Sequence, residues 1–249
     1  MDMPVNSHSE RETPDIETSS DGYASRFAGS VGHYMLSVQE QGVLALLQDD
    51  RPLAGRLVLD VGGGHAQLVG PLLQHGCKVS VAGSDARCAL RVRQFHGEAV
   101  PFYEGDLANL PIAARAFDTV VSVRLISHMD NWPGLVAELC RIADRTVIID
   151  YPTYASLNLL SLATFPLKKR IEKNTRTYRS FWDGEIKASF ARHGFRTTGA
   201  YRQFTLPMAL HRLFTQSGGM RNLEEFMRKM RVTSLIGNPV LMRFDRANV

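Results

Sequence analysis

The run Leu57-Val58-Leu59-Asp60-Val61-Gly62-Gly63-Gly64-His65-Ala66-Gln67-Leu68 constrains this chain more than any other stretch. It opens with branched apolar residues, the composition of a strand covered on both faces. Three glycines follow, and then Leu68, Val69, Leu72 and Leu73 return at helical spacing. Strand, glycine turn and helix begin a βαβ unit, in which the glycines permit positive φ and let a ligand approach bare backbone. Asp60, ending the strand, offers an acceptor beside that crevice. A ligand is therefore expected over Gly62, Gly63 and Gly64, with a polar or cationic part near Asp60.

The ligand is not read as a dinucleotide, because G-x-G-x-x-G would need glycine where the chain has Gln67. No G-x-x-x-x-G-K-[ST] loop is present either. With 249 residues, 44% apolar and 22% charged, the chain reads as one large α/β domain. A net charge of +4 permits an anionic substrate or surface without demanding one. Cys77, Cys88 and Cys140 are scattered, so neither a disulfide framework nor a metal site is expected. The N-terminus has no secretory pattern and no apolar run reaches the ~18 residues of a membrane span, so the expected location is the cytoplasm. Residues 1–20 are polar and read as a disordered tail. Residues 21–249 then form a single domain.

Downstream, Lys78 to Asp85 reads as a second strand, and Val100 to Leu107 as a third ending in Gly105-Asp106-Leu107. Leu110-Pro111 and Phe117-Asp118 follow, the latter opening a fourth apolar run through Val123. Trp132 to Ile142 has helical spacing, and Arg145 to Asp150 is a fifth buried strand. Glu185 to His193 reads as a helix capped by Gly194, before strands over Phe195 to Phe204 and Val240 to Phe244.

From Leu57 to Pro152 this order resembles the class I S-adenosylmethionine (SAM)-dependent methyltransferases. Asp60, Gly62 and Gly64 match their [DE]-x-G-x-G-x-G motif, with Ala66 in place of the third glycine. The resemblance implies a doubly wound, mostly parallel seven-stranded sheet with helices on both faces and the last strand antiparallel. It implies SAM as cofactor, held by Asp60, Gly62, Gly63 and Gly64. Asp106 would accept from the adenine amino group and Leu107 would give its amide to the ring. The family's second strand usually ends in an acid that binds both ribose hydroxyls. Here Gly83 stands at that place, so Ser84 or Asp85 is expected to serve, with helix N-cap as the other reading of Asp85. Arg124 borders the cofactor after the fourth strand. His128 resembles a histidine common there, as a general base or as pocket wall. Tyr23, Arg26, Phe27 and Tyr34 either cover SAM or pack a helix on the sheet.

Residues 153–183 depart from the family pattern. An apolar run (Leu157 to Leu167) precedes Lys168, Lys169, Arg170, Lys173, Arg176 and Arg179. Such a segment suits peripheral contact with an anionic membrane, a lid over a greasy substrate, or a core helix with a solvated basic end. The expected reaction is methyl transfer to oxygen or carbon of a small-molecule or lipid-like acceptor. An RNA methyltransferase and a non-catalytic SAM-binding protein are the alternatives; nucleic acid ranks lower because no appended RNA-binding module is visible.

Overall fold

The computed structural model describes residues 11–49, 51–156, 178–207, 210–211 and 218–247. Seven strands build its sheet: β1 (Leu57–Val61), β2 (Lys78–Gly83), β3 (Phe102–Glu104), β4 (Phe117–Ser122), β5 (Ala143–Tyr151), β6 (Phe195–Phe204) and β7 (Asn238–Arg246). Their order is β3-β2-β1-β4-β5-β7-β6, with β1 to β5 pairing in parallel. β7 runs antiparallel to both its neighbours, β5 and β6. This is the doubly wound sheet that the sequence implied.

The apolar run of β1 is explained by its two covered faces. Leu59 and Val61 point into one cluster with Leu135, Val136 and Leu139 of the helix Trp132–Ile142, and with Ile186 and Phe190 of the helix Asp183–Arg192. Val58 points into the opposite cluster, with Val43 and Leu47 of the helix Gly29–Leu47, and Val69 and Leu72 of Val69–Gln74. Each such side chain removed from water contributes about 1.5–3 kcal/mol before entropy is counted. The strand order reverses at β1 and β4, which places a crevice at their carboxyl ends, where the glycine turn lies.

Two expectations change. The third strand is only three residues long, pairing with β2 over Phe102–Glu104. Residues 11–20, read as part of a tail, instead carry the helical turn Asp15–Thr18 with Asp15 fully buried. Polar anchors hold it: Asp15 accepts from the Ser84 amide at 2.7 Å, and Glu12 accepts from the Asp130 and Asn131 amides at 2.7 and 2.8 Å. A search for apolar periodicity is blind to such anchors. Residues 1–10 lie outside the described residues.

The apolar and basic run from Leu157 to Arg176 also lies outside the described residues. Its two stems meet beyond β5: the Phe181 amide donates to the Pro152 carbonyl at 2.9 Å, and that of Tyr154 to the Phe181 carbonyl at 3.0 Å. Among the described residues, no helix is long and apolar enough to cross a membrane.

Candidate cofactor and acceptor site

The turn after β1 is built around backbone that few side chains tolerate. Gly62 has φ of +75°, and its amide donates to the Ala82 carbonyl at 2.8 Å, tying the turn to β2. At Gly63 a Cβ would collide with the Asp60 carboxyl group, which curls beneath the turn. Ala66, in place of the family's third glycine, has φ of +62°, a conformation that glycine adopts without strain.

Asp60 is 1% exposed, and burial pushes its carboxyl up to about 7 against the pull of the Arg124 charge. Among the described residues its Oδ1 has no hydrogen-bond partner. Next to the turn, His65 has its ring among those of Tyr23 and Phe27, at 6.1 and 5.9 Å. Burial, with the Arg124 and Arg91 charges, holds the imidazole down to about 3, so it is neutral at physiological pH. Among the described residues neither ring nitrogen has a partner. Arg124 follows β4 at φ +58°, its guanidinium over Phe27 at 5.3 Å and Tyr23 at 5.9 Å, with Nη1 also unpartnered among the described residues.

Buried polar atoms left without partners are rare and each costs about 1–3 kcal/mol. Asp60 Oδ1 can accept from an ammonium; Arg124 Nη1 and one His65 nitrogen can donate to a carboxylate. That donor set fits the amino-acid end of S-adenosylmethionine. Tyr23 and Phe27 pack in one cluster with Met35 and Phe204, the packing role expected of them.

At the end of β2, Asp85 takes the capping role. It accepts from the Arg87 amide at 2.8 Å and pairs with the Arg87 guanidinium, which holds its carboxyl down to about 2. Ser84 turns to Asp15, giving it both amide and hydroxyl hydrogens. After β3, Asp106 Oδ1 accepts from the Ala108 amide at 2.9 Å, a local turn that fixes the carboxylate at the strand end, and Leu107 is fully buried.

Beyond Arg124 opens a cavity of about 240 Å³. Its apolar wall includes Tyr23, Phe27, Met35, Leu36, Tyr178 and Phe204; its polar wall includes Gln39, Arg124, Ser127, His128, Asp150 and Gln203. His128 is half-buried, 5.6 Å from the Tyr178 ring. Asp150 accepts from Gln39 Nε2 at 2.6 Å and from the Arg124 amide at 2.5 Å. Burial pushes its carboxyl up to about 6.

Sequence reasoning found Arg124 and His128 but missed Asp150, Gln39 and Gln203. For Asp150 a signal existed: it ends the buried run Val147-Ile148-Ile149 as Asp60 ends its own. Asp118 is structural, accepting from the Leu57 amide at 2.9 Å, and His211 faces Glu224 at 3.1 Å in a buried pair. Arg179, read as part of a basic cluster, instead pairs with Glu185 and lies over the Trp132 and Phe181 rings. Among the described residues no cluster of three His, Cys, Asp or Glu side chains is placed to hold a metal ion.

A seven-stranded sheet of this order, with a glycine turn after β1, defines the class I SAM-dependent methyltransferase fold. Residues 59–148 match the family model described as a methyltransferase domain. Among curated proteins it is similar to norajmaline N-methyltransferase of Rauvolfia serpentina, with 28% identity over 144 residues, 55% of this chain and 49% of that one. It is also similar to the chloroplastic magnesium protoporphyrin IX methyltransferase of Arabidopsis thaliana, with 29% identity over 119 residues, 45% of this chain and 37% of that one. The matches thus span half or less of those relatives. Among solved structures, magnesium protoporphyrin IX methyltransferase from Synechocystis PCC 6803 with bound SAH superposes with a TM-score of 0.64 at 19% identity, over 92% of this chain and 96% of that one. A possible histamine N-methyltransferase from Thermotoga maritima gives 0.64 at 18%, over 94% and 98%.

Proposed function

We propose that this protein is a SAM-dependent methyltransferase acting on oxygen or carbon of a small-molecule acceptor held in the cavity beyond Arg124. The observation that carries the reading is the set of buried, unpartnered atoms around the glycine turn, at Asp60, His65 and Arg124, beside a cavity wide enough for an organic substrate. Asp60, Gly62, Gly63, Gly64, Ser84, Asp106, Leu107 and Arg124 form the cofactor side in this proposal. Asp85 is left out, because Arg87 occupies it.

The cofactor supplies a sulfonium methyl group, which leaves by in-line displacement. The protein's part is to orient and to exclude water, which can supply several kcal/mol of the barrier. Tyr23, Phe27, Tyr178 and Phe204 give the acceptor an apolar bed. His128 takes the proton of a hydroxyl or enol acceptor, the general-base role an imidazole lining such a cavity can fill.

Pro152, just before the 153–183 segment, and Tyr178 within it border the cavity, which sets these described residues on the acceptor side. A nitrogen acceptor is the second reading, favoured by the likeness to an N-methyltransferase. A neutral amine needs no base for the transfer itself, so His128 would then only line the cavity.

Calorimetry with S-adenosylhomocysteine (SAH) tests the cofactor side. Incubation with labelled SAM and a lysate of the host, followed by mass spectrometry of the labelled product, tests the reaction. SAH binding without any labelled product would leave a SAM-binding protein that does not catalyse.

A further inference from the structure

The end of β2 presents a contradiction that the N-terminal segment resolves. The resembled family places an acid there, facing the ribose diol, yet position 83 is glycine. The packing shows why. A Cβ on Gly83 would lie 2.8 Å from Phe102 Cζ and 2.9 Å from Cys88 Cβ, so β2 has no room for a side chain at this place. The same Cβ would lie 3.1 Å from Asp15 Oδ2. A carboxylate therefore stands where a glutamate at position 83 would carry its own, but it arrives from a residue 68 positions earlier in the chain.

Its placement is fixed from several sides. Asp15 accepts the Ser84 amide on Oδ2 and the Ser84 hydroxyl on Oδ1, and is fully buried. Arg11, one turn before, reaches the Ser84 carbonyl and lies 3.9 Å from Glu104 at the end of β3. Glu12 clasps the amides of Asp130 and Asn131 beyond β4, and Ser19 lies against Gly64 of the glycine turn. Residues 11–19 thus form a strap across the carboxyl ends of four strands, over the crevice assigned to the adenosyl group.

We infer that Asp15 is the ribose-binding carboxylate of this protein, supplied by the strap in place of the acid that β2 cannot carry. This rests on the cofactor reading above. An ionised carboxylate has about four lone-pair sites; Ser84 uses one on each oxygen, and the Cys88 thiol is a third, weaker donor to Asp15. The hydroxyl donors of a vicinal diol, stronger than a thiol, take the free site and displace the thiol from the other. Ser19 lies against Gly64, so the nucleoside reaches Asp15 only with Ser19 displaced from the turn.

The test is calorimetry on the intact protein with SAH and with its 2′-deoxy analogue. The wild type is expected to prefer SAH. Asp15→Asn, which keeps the shape of the side chain, is expected to weaken SAH about tenfold, the loss of a charge-assisted hydrogen bond, and to erase the preference. Ser84→Ala, which loosens the carboxylate, should fall between the two. Wild-type binding that Asp15→Asn leaves unchanged overturns the inference alone. So does tighter binding by the variant, which would make the strap a competitor of the cofactor, and so does equal weakening of both ligands, which would make Asp15 purely structural. Failure of the wild type to bind either ligand overturns the cofactor reading, and this inference with it.

Discussion

At the scale of single residues, Asp60 is the most informative group. Its carboxyl is held up to about 7, so it is largely protonated at pH 6. The ammonium of a bound cofactor favours the ionised form, so binding releases a proton below pH ~7. SAH affinity should therefore rise as pH goes from 5 to 7 and then level off, and Asp60→Asn should flatten the rise. A slope that survives the substitution would remove Asp60 from the ammonium site.

The same group shapes stability with the opposite sign. A carboxyl raised in the folded state binds more protons there than in the unfolded chain, so its contribution falls as pH climbs from about 4 to 7. Melting curves of Asp60→Asn against wild type should show a stability difference that shifts in the variant's favour over that window. At the cofactor side, Asp106→Ala and Gly62→Arg should each weaken SAH by more than about tenfold, through loss of an acceptor and blocking of the bare backbone. Unchanged affinity in both would refute the site map. His128→Ala should leave SAH affinity nearly intact while lowering turnover by about 10²–10⁴-fold if the acceptor is a hydroxyl. A loss of affinity instead would make His128 a cofactor contact.

At the scale of elements, helix Gly29–Leu47 approaches β6 and β7 closely through Gly42, where a Cβ would lie 2.6 Å from both Leu241 Cδ1 and Tyr201 Cδ1. Gly42→Ala should cost about 1–3 kcal/mol by overpacking, measured by urea unfolding, despite alanine's better helix propensity. The strands and helices buried on apolar faces were legible in the chain. Trp132–Ile142 and Phe195–Phe204 appear over the expected residues, and β1 follows its run of branched side chains. The turns at Gly62 and Asp106 were legible because backbone geometry dictates composition there. What escaped was set by tertiary hydrogen bonding. Asp15 looks like any acid in a polar tail until Ser84 is folded against it, and Gln39 until Asp150 is. Asp85 had the right residue type for a ribose ligand, but the arginine two residues on competes for it locally.

For the molecule as a whole, a ligand that binds only the folded state stabilises it by about 2.7 kcal/mol at a hundred times its Kd. For a chain of 249 residues that corresponds to a rise in Tm of about 5–10 °C, so differential scanning calorimetry with saturating SAH is a direct check on the cofactor side. No shift at concentrations far above any plausible Kd would argue against it.

The placement of β7 between β5 and β6 has a consequence for timing. β6 can dock on the sheet only after a strand that is made later has threaded in beside β5, pairing Thr146 with Asp245 across 99 residues. Such distant pairing is slow to form. The glycine turn and its neighbours need only β1 to β4, whereas the cavity beyond Arg124 borrows Gln203 and Phe204 from β6 and Pro239 from β7. In pulsed hydrogen exchange during refolding, the amides of β6 should gain protection no sooner than those of β7. The half around the glycine turn would then mature before the half that completes the cavity.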